Sequence, residues 1–126
     1  MFKQHDGTFG TDIFKSCKKL ETVALTANYI PAKLFNDCTS LTSIYLTLSS
    51  VDGSMPYIDP DALYNIPSLT ELTISGEFDA APILSGFQQL NKVTIESNSN
   101  VQLNDKIFNN TPRLTQIDLS KCIRSI

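Results

Sequence analysis

The chain has 126 residues, 41% of them hydrophobic and 18% charged, with a formal charge of -3 at pH 7. That length suits one domain burying roughly two-thirds of its unfolded surface, and the scattered Lys and Arg offer no basic stripe for nucleic acid or anionic lipid. No apolar run is long enough to span a bilayer, and the opening MFKQHDGTFG lacks the basic-then-apolar layout of a secretory signal.

Five strand-like runs follow one another, each opened by a Leu: LETVAL at Leu20, LTSIYL at Leu41, LTELTI at Leu69, LNKVTI at Leu90 and LTQIDL at Leu114. Every run alternates apolar and polar residues and favours Thr, Val and Ile, the pattern of a half-buried strand. Three and five residues past the opening Leu stand Val23 and Leu25, Ile44 and Leu46, Leu72 and Ile74, Val93 and Ile95, and Ile117 and Leu119. Six residues before it stand Phe14, Phe35, Leu63, Leu84 and Phe108, and three before it Cys17, Cys38, Ile66, Phe87 and Thr111. The segments DIFKSC, KLFNDC, ALYNIP and KIFNNT thus carry apolar residues three and four apart, which predicts a turn or two of helix ahead of each strand. Thr11, Asp59 and Asn104 suit the N-caps of those turns, and Pro31 suits a first turn. The opening leucines are spaced 21, 28, 21 and 24 residues apart. The longest interval holds SSVDGSMPYIDP, whose Gly53, Pro56 and Pro60 mark a loop, with Asp52-Gly53 as its turn.

A unit of one strand and one short helical turn cannot bury its own apolar stripe. Stacking several gives a continuous core and a parallel sheet with one strand per rung. The expected fold is therefore an α/β solenoid of about five units over residues 1–126, with the sheet on the concave side and short helices or helical turns on the convex side. This pattern is carried best by Phe9 to Leu25 and Ile30 to Leu46, and less closely by Leu103 to Leu119. It resembles the BspA-type leucine-rich repeats of bacterial and protist surface proteins. The resemblance implies a non-catalytic protein-binding or adhesion module, displayed at the cell surface or secreted, whose ligand is a protein such as a host or matrix protein. Asn28 falls at the Asn place of the broader repeat pattern, where the next three units have Ser49, Glu77 and Asn98.

Alternation points Val23, Leu25 and their equivalents inward, so the residues between them face out. The candidate ligand-binding face comprises Thr22, Ser43, Tyr45, Thr47, Glu71, Thr73, Lys92, Thr94, Gln116 and Asp118. It is polar, rich in hydroxyls and carries one aromatic, Tyr45. The same threonines also suit exposed strand positions for the pleat alone.

Cys17 and Cys38 hold equivalent places in consecutive rungs and are expected to be packed, reduced thiols; Cys122 stands apart. His5 is the only histidine, and there is no Cys-x-x-Cys, His-x-x-x-His or glycine-rich phosphate loop, so no catalytic constellation and no metal or cofactor site is expected. Two function classes stand: the binding module, and a structural spacer or self-assembling segment of a larger surface protein. At the front, Phe9 opens a unit with no strand expected before it; at the back, LSKCIRSI starts toward a sixth unit. The expectation is a fragment of a longer array, with weak homo-association through the terminal edge strand at 115–119.

Overall fold

The computed structural model describes residues 2–3, 14–50, 52–78, 87–97, 100–101, 111–118 and 124–125. In chain order its strands are β1 (Phe2–Lys3), β2 (Thr22–Ala27), β3 (Tyr29–Ile30), β4 (Ser43–Leu48), β5 (Tyr57–Ile58), β6 (Glu71–Gly76), β7 (Lys92–Ser97), β8 (Asn100–Val101), β9 (Gln116–Asp118) and β10 (Arg124–Ser125). One six-stranded sheet runs β1-β2-β4-β6-β7-β9, with every neighbouring pair parallel. Its register follows the repeat: Val23 pairs with Ile44, Ile44 with Leu72, Leu72 with Val93 and Val93 with Ile117. Two short parallel ribbons, β3 with β5 and β8 with β10, extend the stacking beyond the strand ends. The front of the sheet departs from expectation, because β1 pairs with β2 through Phe2–Leu25 and Lys3–Thr26, supplying a strand ahead of the first unit.

The inward rows are sealed. Val23, Leu25, Ile44, Leu46, Leu72, Ile74, Val93 and Ile95 are each at most 2% exposed. Behind them lie Ile30, Leu34, Phe35, Cys38, Ala62, Leu63 and Ile66, all buried, and the rings of Phe14 and Phe35 stack with centroids 5.3 Å apart. Each such Leu or Ile gains about 1.5–3 kcal/mol from leaving water. Ile117 differs from its equivalents: β9 is one of the two outer strands of the sheet, and Ile117, expected in the core, is 47% exposed.

The helices expected opposite the sheet are absent from the described residues, where turns take their place at 14–16, 32–37 and 60–63. The cause lies four residues before each opening Leu. Ser16, Asp37 and Asn65 all have φ near +60°, a left-handed conformation that stops an α-helix after a single turn. The reversal frees the amide to bond along the stack: Ser16 donates to the Asn36 carbonyl at 2.8 Å and Asp37 to that of Asn65 at 3.1 Å. Asp59 acts locally as expected, its carboxylate accepting the Asp61 amide at 2.8 Å, but it opens a turn rather than a helix. Thr11 and Asn104 lie outside the described residues. In the long loop, Asp52 and Gly53 have φ of 50° and 78°, as a tight turn with two left-handed residues requires.

A second ladder ties the starts of the strands. The amides of Thr42 and Ser43 and the Thr42 hydroxyl all converge on the Glu21 carbonyl. Thr70 with Glu71 repeats this on Thr42, and Thr115 with Gln116 repeats it on Asn91. No described buried side-chain polar atom lacks a partner, so the rungs are locked by packing on one side and by hydrogen bonds on the other.

Cys17 and Cys38 are free thiols. Cys38 is fully buried and donates its S–H to the Phe14 carbonyl at 2.9 Å; burial pushes its thiol pKa up. Cys17, expected to be packed alike, is only half-buried. A thiol reagent is therefore expected to modify Cys17 in the native protein and to reach Cys38 only on unfolding. Mass spectrometry of labelled peptides checks the order.

Candidate functional site

The ten outward residues lie in two full cross-strand rows and part of a third. One row is Thr22, Ser43, Glu71, Lys92 and Gln116; the next is Ala24, Tyr45, Thr73, Thr94 and Asp118; the third holds Thr26, Thr47, Ser75 and Glu96. Parallel in-register pairing sets neighbours in a row about 4.8 Å apart, so each row is a ladder of closely spaced side chains on a rigid support. Thr22, Thr47, Lys92, Gln116 and Asp118 are exposed, while Ser43, Glu71, Thr73 and Thr94 are half-buried by neighbours in their rows.

Tyr45 is 41% exposed, with its phenol oxygen 3.4 Å from the Glu71 carboxylate. The other oxygen of that carboxylate lies 3.7 Å from the Lys92 ammonium. Tyr45, Glu71 and Lys92 thus form a chain across β4, β6 and β7. Both charges are at least one-third exposed to solvent, so the pair contributes under about 1 kcal/mol to stability and serves mainly to orient the ring. Beside it, the Thr47 and Ser75 hydroxyls are 3.5 Å apart, and the Ser50 hydroxyl donates to Glu77 at 3.2 Å. The result is an aromatic body flanked by hydroxyls able to act as donor or acceptor.

At the ends of the strands, the Asn28 amide donates to the Ser49 and Ser54 carbonyls at 3.2 and 3.3 Å. The Asn at the first unit's Asn place therefore pins the long loop that follows β4. The loop in turn sets Tyr57 on Tyr29, the rings stacked at 5.7 Å and 10°, with Tyr57 and Met55 each 51% exposed. Tyr64 on the turn side is 52% exposed, under the Lys33 ammonium at 5.0 Å. Sequence reasoning passed over these aromatics, although signals were present. Tyr29, Tyr57 and Phe78 hold one offset in three consecutive units, and Tyr64 stands where the other units have Lys15, Asn36, Ser85 and Asn109.

Asp37 on the turn side accepts from Lys18 at 3.1 Å and from the Ser16 hydroxyl at 3.2 Å; the Lys18 contact, then the Ser16 bond, hold its carboxyl below the usual range. Among the described residues no three His, Cys, Asp or Glu side chains converge as a metal site requires, and no helix is long and apolar enough to cross a membrane.

The model of the BspA type leucine rich repeat region matches residues 7–82 and 57–126, with six copies in all, and the two stretches share the third unit. No curated protein and no solved structure matches the chain. Together with the in-register parallel sheet, that match over nearly the whole chain places the protein in the BspA-type leucine-rich repeat family, whose repeats occur often in surface and adhesion proteins.

Proposed function

We propose that the outward face of the sheet is a non-catalytic protein-binding surface that attaches a cell-surface or secreted protein to a host or matrix protein. The observation that carries this reading is Tyr45. It is a large ring, 41% exposed at the middle of the sheet, oriented by Glu71 and surrounded by neutral hydroxyls on strands that cannot shift register. Rigid aromatic anchors amid adaptable polar groups are where binding energy concentrates, because little conformational entropy is lost on contact. The test is binding to immobilised fibronectin and laminin as representative matrix proteins. Tyr45→Ala is expected to weaken such binding by more than about 1 kcal/mol while leaving the thermal midpoint nearly unchanged, since the ring lies outside the core. Equal affinity in the two proteins removes Tyr45 from the role.

A self-assembling segment is the second reading, and β9 favours it. Ile117 is 47% exposed, and a recess of about 370 Å³ runs along Lys92, Val93 and 115–118. The Gln116 amide is taken by the Asn91 carbonyl, so alternation turns the Ile117 amide toward the open side. Pairing of this strand with a second copy predicts weak, concentration-dependent association. Sedimentation showing a monomer at all concentrations contradicts it.

A further inference from the structure

On the turn side, between the third and fourth rungs, lies a cavity of about 610 Å³, within the roughly 300–1,000 Å³ typical of small-molecule sites. We propose that it is a binding site for a neutral saccharide, separate from the outward face of the sheet. Three features select that chemistry. The first is a ring. Tyr64 lines the cavity and is 52% exposed. Lys33 sits over the Tyr64 ring but belongs to the preceding rung and does not line the cavity. The ammonium steadies the ring by a cation–π contact, and the exposed ring offers an apolar surface against which the C–H face of a pyranose can pack.

The second feature is an uncommitted set of hydrogen-bonding groups. Gln88 and Gln89 are exposed at the rim, and neither they nor the Asp61 carboxylate bond to any described side chain or backbone group. Asn65 gives its amide to Asn36 at 2.9 Å, which fixes the orientation of its side chain. Side-chain amides and a carboxylate offer donors and acceptors in pairs, as the vicinal hydroxyls of a sugar do. The third feature is charge. Among the described residues that line the cavity there is no Lys or Arg, and Asp61 is one of them, so anions are disfavoured and an uncharged polar ligand is preferred. Phe87, 7% exposed, forms an apolar floor, and Pro60 and Pro67 stiffen the wall through their fixed φ. None of the described lining residues belongs to a strand, and an extended peptide would need a strand edge for backbone pairing.

The test is NMR titration of the full chain with lactose, maltose and N,N′-diacetylchitobiose. Saturable shifts of the Gln88 and Gln89 side-chain amides with at least one disaccharide are expected. Tyr64→Ala should weaken that binding by roughly tenfold or more, whereas Tyr45→Ala on the opposite face should leave it unchanged. Because Tyr64 is exposed, its removal is expected to leave the fold intact, and a paired Gln88→Ala, Gln89→Ala variant removes the polar partners without touching the core. Absence of saturable shifts with all three sugars overturns the proposal, as does affinity unaffected by both variants. Shifts of the same amides by a decaproline peptide, with no response to sugars, would replace the saccharide with a peptide ligand.

Discussion

Phe35→Ala is expected to destabilise the protein by about 3–5 kcal/mol. Phe35 has no exposed surface and stacks on Phe14 of the preceding rung. Its removal therefore empties a ring-sized volume at the interface between two units and also removes the stacking contact with Phe14. In a solenoid the total stability is close to a sum of unit terms and nearest-neighbour interface terms. A lesion at an interface is felt by both units, and collapse into the space is resisted by the left-handed turn at Asp37, whose amide is bonded to Asn65. Urea unfolding followed by circular dichroism should show a lower midpoint. A loss under about 1 kcal/mol would mean that the turn side packs far more loosely than the structure has it.

Gly76→Ala is expected to cost about 3 kcal/mol or more, although it adds only one methyl group. Gly76 closes β6 at φ of 109°, a backbone conformation that side chains rarely adopt. A Cβ there would drive into the carbonyl oxygen of Leu48, its partner across the sheet. That same oxygen accepts the Glu77 amide at 3.0 Å, so either the β4–β6 pairing opens at its end or this bond is lost. Gly53→Ala is the natural control. Its φ of 78° imposes comparable backbone strain, but nothing lies within 4 Å of the added atom, and the expected cost is about 1 kcal/mol. The difference between the two variants isolates the steric contribution, and faster hydrogen exchange at Glu77 in Gly76→Ala locates it.

The strands and their facing were legible because a period of two leaves no freedom. Once Leu41 is placed, Ile44 and Leu46 must face in and Ser43, Tyr45 and Thr47 must face out, and all five do. The opposite side was misjudged for a reason equally local. Apolar residues three and four apart fit a helix, but they also fit a single turn closed by a left-handed residue, and only the residue four before the opening Leu separates the two. Ser16, Asp37 and Asn65 stand there, with Gly86 and Asn110 at the same offset in the remaining units. Each is short and polar or has no side chain, the types that tolerate φ above zero. The Thr that follows the opening Leu in three units was likewise read as strand propensity, whereas its hydroxyl bonds the carbonyl of the rung before. Gly76 and the cavity beside Tyr64 could not be read in this way, because each depends on what a neighbouring rung, about 20 to 30 residues away, places opposite it.

The claim that the sheet's outward face is the working surface is tested most directly by placing a bulky charge on each side of the solenoid. Thr73 lies in the middle row, on the strand next to that of Tyr45, and Thr39 is exposed on the turn side. With binding to fibronectin or laminin as the readout, Thr73→Arg is expected to abolish attachment and Thr39→Arg to leave it intact, both with thermal midpoints near that of the parent protein. Attachment that survives Thr73→Arg but is lost in Thr39→Arg would contradict the account and move the binding surface to the turns.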